Sequence, residues 1–320
     1  MNKKIIIISG DPNSVNSEII YKSWRKLSPN TKRKIFFISN YKLLKKQFSV
    51  LKYPIKLKKV KDIYENNFSN ELKILDIDLK FKNPFKVSFK DSSIFIKKSF
   101  NLAHKLCLDD NVKGLINCPI DKKLLKKENI GITEYLATKC KIKDNSEVML
   151  IKSKNFSVLP VTTHIDLSKV AKKISTSLII KKILTLNVWF KLNYKKKPKI
   201  GILGLNPHNA ELKENSEESK VIIPAIKRLK EKGIKVDGPL VSDTVFINKY
   251  KDYDVIVGMY HDQVLAPFKT IFKFDAINIT LGLKYLRLSP DHGVAKSLIK
   301  RKVADYSSLL KCIKFCLKTK

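Results

Sequence analysis

Apolar residues in this chain fall into short unbroken runs, and the runs alternate with stretches where they recur every three or four positions. Ile5–Ile8 lies inside one such run, Lys4–Ser9, which ends at Gly10-Asp11-Pro12 and is followed by a helical stretch from about Ser17. That sequence of a buried strand, a loop and a helix opens an α/β unit. Lys34–Ser39, Gly114–Asn117, Val148–Ile151, Val158–Thr162, Lys199–Gly204, Asp254–Met259 and Ala276–Thr280 read as further strands. Between Ser92 and Leu108 the apolar positions Ile96, Phe100, Ala103 and Cys107 share one helical face. Ser175–Leu192 reads as a long helix, apolar over much of its circumference, which makes it core or a subunit interface. Ser216–Lys232 reads as a helix with Ser216 as its cap, Glu217 and Glu218 in its first turn and Gly233 as its terminator. A last helix spans Ala304–Leu317, and residues 50–90, short alternating pieces among many lysines, yield no ordered set of elements.

Strands alternating with helices predict an α/β fold, three layers deep, whose sheet is largely parallel and covered on both faces. The chain shows no internal repeat and no long linker, so two interlocked lobes sharing one sheet are expected. Their approximate extents are 1–130 with 285–320, and 131–284.

Composition changes this picture little. A chain of 320 residues, 43% hydrophobic and 29% charged, has ample material for a core and is not globally disordered. The net charge of +36 raises nucleic acid or a membrane surface as a partner. Against that, arginine occurs only at 25, 33, 228, 287 and 301, and the remaining positive charge is lysine spread along the whole chain. Base readout and planar phosphate recognition favour arginine, so the charge reads as compositional bias, with neither nucleic acid nor membrane as partner. No apolar run reaches membrane length, and the N-terminal run is too short for a signal segment. Cys107, Cys118, Cys140, Cys312 and Cys316 form no CxxC pair and read as reduced thiols of a cytoplasmic protein. Cys312 and Cys316, four apart on a helix, are expected to pack.

The candidate chemistry sits at strand ends. His164, His208 and His261 are three of only five histidines, and each follows an apolar strand. Strand ends of a parallel sheet share one edge, where ligands bind, so residues far apart in sequence are able to converge there. Three imidazoles with an open position form the ligand set of a catalytic divalent-metal site. Three separate histidines capping loops are the alternative. Asp243 and Asp262 lie in similar loops, where carboxylates orient ligand histidines or touch a metal, or simply face solvent. Lys269, Asn278 and Arg287 follow. Asn278 lies inside an apolar strand and needs a partner, and Arg287 suits an anionic substrate.

The segments Pro160-Val-Thr-Thr-His164, Gly204-Leu-Asn-Pro-His208, Gly238-Pro-Leu-Val-Ser-Asp243, Met259-Tyr-His-Asp-Gln263, Asn278-Ile-Thr-Leu-Gly282 and Asp291-His-Gly293 together resemble the 4-hydroxythreonine-4-phosphate dehydrogenase family of pyridoxal phosphate biosynthesis. The likeness runs from Gly10 to about Asp305. It implies a fold like that of the isocitrate and isopropylmalate dehydrogenases, and a homodimer with the active site at the subunit interface. It places His164, His208 and His261 on metal-ligand positions, and Thr133, Lys269, Asn278 and Arg287 on substrate positions. It implies oxidation of 4-phosphohydroxy-L-threonine with NAD, or NADP, and one divalent metal per subunit (zinc, magnesium or cobalt). Decarboxylation to 3-amino-2-oxopropyl phosphate would follow. The same chemistry on a phosphorylated sugar acid such as threonate 4-phosphate, or a non-catalytic metal-holding relative, are the alternatives.

The chain also departs from the family pattern. Ile132 stands in Gly131-Ile-Thr-Glu134 where the family has histidine. Ser14 and Asn16 replace two glycines of the first loop, and Val294–Lys302 lacks the glycine the family carries there. Glycine permits positive φ and close backbone approach, so these losses are expected to alter the loops near substrate or cofactor.

Overall fold

The computed structural model describes residues 3–65, 70–125, 131–142, 144–273 and 275–319. The chain divides into two compact units, residues 1–132 with 284–319, and residues 133–283.

The first unit begins with β1 (Lys4–Ile8), β2 (Ile35–Ser39), β3 (Leu57–Val60), β4 (Leu72–Asp76) and β5 (Val112–Asn117). The second unit holds β6 (Val148–Lys152), β7 (Ser157–Pro160), β8 (Ile200–Leu203), β9 (Val236–Leu240), β10 (Val255–Gly258) and β11 (Ile277–Leu281). The chain then returns to the first unit with β12 (Leu286–Pro290).

In the first unit the strands lie in the order β3-β4-β2-β1-β5-β12, all parallel. Ile5–Ile8 are wholly buried, as the run of four isoleucines requires of a strand covered on both faces. The helix Phe89–Cys107 packs on β1 and β5 through Phe95, Ile96, Phe100 and Ala103. It starts three residues before the expected Ser92, because the Ser88 hydroxyl accepts from the Asp91 N–H and donates to the Asp91 carboxylate. The helix Ser307–Lys318 packs on β5 and β12, with Cys312 and Cys316 buried on one face. Burial pushes the thiols of Cys118, Cys312 and Cys316 above their ordinary pKa, which keeps them protonated and unreactive.

In the second unit the order is β11-β6-β7-β10-β8-β9. β7, β10, β8 and β9 run parallel, while β6 is antiparallel to both its neighbours. The helix His261–Phe272 packs on β7 and β10, and the helix Thr176–Tyr194 packs on β6 and β11. The Ser175 hydroxyl caps the latter by accepting from the Leu178 N–H at 3.2 Å.

The expected continuous helix over Ser216–Lys232 is a composite. Ser216 caps it, accepting from the Ser219 N–H, but Glu218–Ile222 is π-wound and only Ile223–Glu231 is α-helical. A π-turn re-aims side chains relative to an α-turn, and Glu218 is wholly buried here. Among the described residues no helix is long and apolar enough to cross a membrane.

Candidate metal and substrate site

The three histidines belong to the second unit, and their strands are neighbours. His164 lies four residues beyond β7, His261 opens the helix after β10, and His208 lies five residues beyond β8. The strands run parallel in the order β7-β10-β8, so all three histidines leave the same edge of the sheet.

Hydrogen bonds lay the segment beyond β7 against the end of β10. The Val161 N–H donates to Gly258 O at 2.8 Å, and the Thr162 hydroxyl donates to Met259 O at 2.7 Å. This brings the His164 and His261 rings together, with centroids 5.6 Å apart and planes inclined by 42°. His261 Nδ1 lies 2.7 Å from an oxygen of Asp262. A carboxylate on Nδ1 fixes the tautomer and leaves Nε2 as the nitrogen for a metal.

The His208 loop is built differently. Glu218 Oε1 accepts from the N–H groups of Leu205 and Asn206 at 2.7 and 2.8 Å, and its Oε2 accepts from the Asn206 amide at 3.0 Å. Burial pushes this carboxyl's pKa up, but the Asn206 and Leu205 donors outweigh that effect and hold it below its ordinary value. Asn209 is buried and donates to Pro239 O at 2.9 Å, tying the loop to β9. From His208 to Leu212 the backbone stays left-handed, with φ between 49° and 58°. L-residues pay for that conformation, and it persists where neighbouring contacts impose it. His208 itself is exposed.

The structure thus pairs His164 with His261 and sets His208 on the adjoining loop. Among the described residues, no three histidine, cysteine or carboxylate side chains are gathered closely enough to hold a metal ion. The donor chemistry fits a borderline divalent cation: two adjacent imidazoles, one with its second nitrogen on a carboxylate, and a third imidazole on the next strand end.

The other expected residues divide between the two units. Thr133, on the helix Ile132–Lys139, is buried with its hydroxyl 3.2 Å from that of Thr280. Asn278 and Thr280, two apart on β11, share one face of the strand. Asn278 Oδ1 is buried and takes no hydrogen bond, an acceptor left open for a donor. Asp243 is exposed in a short helix after β9, and half-buried Lys269 lies two turns beyond His261 on the same helix. Arg287 belongs to the first unit. It is 2% exposed on β12, and its Nε donates to Asn117 Oδ1 at 2.8 Å.

Three residues that shape this region escaped the sequence reading. Glu218 looked like a first-turn acid facing the helix dipole. Glu134 accepts from the Thr163 hydroxyl at 2.6 Å, beside His164, and Gln263 bonds to three separate segments. Both lay inside quoted motifs, but only a spatial map distinguishes them from their neighbours.

The glycine-poor loops lie in the first unit. Ser14 and Asn16 do not have the positive φ that would demand glycine. Both are buried. Ser14 Oγ donates to Asp11 O at 2.5 Å, and the Asn16 amide donates to Pro119 O at 2.8 Å. Gly10 is retained at φ +78°, where a Cβ would lie 2.4 Å from the Asn16 amide nitrogen and 2.5 Å from Pro119 O. Near the C-terminus Ala295, Lys300 and Lys302 are all left-handed, a conformation that glycine adopts without steric strain.

The model of the pyridoxal phosphate biosynthetic protein PdxA family matches residues 31–316. The chain belongs to the PdxA family. It is 36% identical, over 98% of its length and 97% of the relative's, to a 4-hydroxythreonine-4-phosphate dehydrogenase of Sulfurihydrogenibium sp.. It is 32% identical, over 98% and 97%, to a protein of Oceanobacillus iheyensis that carries a provisional D-threonate 4-phosphate dehydrogenase name. The crystal structure of a 4-hydroxythreonine-4-phosphate dehydrogenase from Klebsiella pneumoniae superposes with a TM-score of 0.83 at 26% identity, covering 98% of both chains. The α/β fold with a mixed, largely parallel sheet is therefore that of the PdxA enzymes.

Proposed function

We propose that this chain is a metal-dependent, NAD-linked dehydrogenase of vitamin B6 biosynthesis. It would oxidise the secondary alcohol of 4-phosphohydroxy-L-threonine, and the resulting β-keto acid would lose CO2 to give 3-amino-2-oxopropyl phosphate. The observation that carries this reading is the contact of His164 with His261 at the ends of neighbouring parallel strands, with His208 on the next, in a PdxA chain.

His164, His208 and His261 would hold the divalent cation, which when bound polarises the alcohol oxygen and stabilises negative charge on it. Asp262 keeps His261 in the ligating tautomer. Asn278 Oδ1, buried and unbonded, supplies an acceptor for a substrate donor, and Thr133 stands beside it through Thr280. Lys269 and Arg287 would take the anionic groups of the substrate. NAD or NADP would accept the hydride.

A homodimer is supported by the helix Thr176–Tyr194. Its inner face is core, while Val188 and Leu192, four apart, are 54% and 67% exposed. Two large apolar side chains on one helical stripe fit a covered surface. Five buried free thiols fit a reducing cytoplasm.

The second reading keeps the chemistry and changes the substrate to threonate 4-phosphate. Ile132 in place of the family histidine and the Oceanobacillus relative both favour considering it. A side-by-side assay of NADH formation from the two substrates decides between them. The first reading expects turnover of the amino acid, stopped by chelator and restored by added metal. Turnover of the hydroxy acid alone would establish the second, and no turnover of either, with metal and either nucleotide supplied, would refute both.

A further inference from the structure

We infer that Gln263 is a positioning residue that sets the His208, His261 and Asp243 loops in register with one another. The inference rests on the metal-site reading above.

Gln263 lies half-buried in the first turn of the helix His261–Phe272, and its amide uses both ends. Oε1 accepts from the Met259 N–H at 2.7 Å, two residues before His261. Nε2 donates to Gly204 O at 2.7 Å, where the chain leaves β8 toward His208. The second Nε2 proton goes to Ser242 Oγ at 2.9 Å, next to Asp243. One planar group thus joins the segments that follow β10, β8 and β9.

Only a neutral carboxamide of this length supplies one acceptor and two donors in one plane. Glutamate would present acceptors to Gly204 O, and asparagine is a methylene short. The fold also makes room for the side chain: a Cβ at Gly258 would lie 2.9 Å from Gln263 Oε1 and 2.5 Å from Val264. Glycine at the end of β10 therefore lets the glutamine fold back under the strand it follows.

Groups that orient metal ligands without touching the metal typically change metal affinity about 10- to 100-fold when lost. Gln263→Met, close in volume and unable to make any of the three bonds, is the main variant, and Ser242→Ala removes one bond as the milder arm. Two readouts are taken on full-length protein shown to be folded by circular dichroism. The first is a Co2+ titration followed by its visible absorption, which reports coordination geometry. The expected outcome is weakening of roughly 10-fold or more for Gln263→Met, about 2- to 5-fold for Ser242→Ala, and an altered spectrum.

The second readout is the imidazole C–H resonances of the metal-free protein. Those of His208 are expected to shift in Gln263→Met although the substitution is 55 residues away in sequence. Should Gln263→Met not fold, Ser242→Ala is read by the same two measurements. Unchanged Co2+ affinity and spectrum in a folded variant, with His208 resonances unmoved, would overturn the inference even if the melting temperature fell. If the wild type binds no Co2+, the metal-site reading fails instead, and the His208 resonances alone judge Gln263.

Discussion

The strand-end loops of the second unit and the glycine-poor loops of the first solve the same problem in different ways. Each must hold irregular backbone in a fixed shape beyond a parallel strand. The second unit fixes its loops with polar side chains turned inward: buried Glu218 under Leu205 and Asn206, half-buried Gln263 across three segments, buried Thr162 on Met259. In the first unit, glycine has been exchanged for residues with side chains. Where the backbone did not need positive φ, at Ser14 and Asn16, the new side chains make internal hydrogen bonds and the loop gains ties. At Ala295, Lys300 and Lys302 the backbone is left-handed without glycine. The two glycine-poor loops of the first unit therefore differ. The conformational cost falls on the C-terminal segment and not on the first loop.

The contrast is broken most severely at Glu218. Glu218→Ala removes a buried carboxylate from three donors and should cost about 3 kcal/mol, measured by urea unfolding. The pH dependence sharpens this. With its pKa below the ordinary 4.5 when folded, Glu218 contributes stability that is present above pH 4.5 and lost as pH falls through the folded value. Glu218→Gln should flatten that acid limb. An unchanged limb would mean that the carboxylate does not carry the loop.

A smaller effect is expected at Asn16. Asn16→Gly restores the family residue yet should destabilise by about 1 kcal/mol, because the bond to Pro119 O is lost and chain entropy rises. A gain in stability would contradict the account of the first loop. The smallest effect has the opposite sign. Lys300→Gly relieves a left-handed lysine and should stabilise by roughly 0.5–1 kcal/mol, read as a higher melting temperature. A loss there would show that the Lys300 ammonium over Phe85, 5.6 Å from the ring centroid, outweighs the backbone term.

Much of the α/β frame was legible in the sequence, because strands buried on both faces read as apolar runs, as in Ile5–Ile8 and Val255–Val257. The edges were not. β3 is Leu-Lys-Lys-Val, a lysine-bearing edge strand, and β9 carries Gly238 and Pro239, tolerated at an edge but no strand signal in sequence. The helix His261–Phe272 was hidden by Pro267 within it. In the site, the strand-end position of the histidines and the Asp262 carboxylate beside His261 were readable, while the side chains that hold their loops were not. Glu218 and Glu217 are adjacent glutamates at a helix start, and only the π-turn distinguishes the buried one from its neighbour. Arg287 was singled out for an anion, and the fold places it against Asn117 inside the first unit.

The central claim is that His164, His208 and His261 serve one metal. A Co2+ titration of the wild type and of His164→Ala, His208→Ala and His261→Ala tests it directly. One Co2+ per chain is expected in the wild type, and a large loss of affinity, with a changed visible spectrum, in each of the three variants. Wild-type affinity and spectrum in the folded His208→Ala protein would contradict it, leaving the His164–His261 pair as a contact without the third ligand.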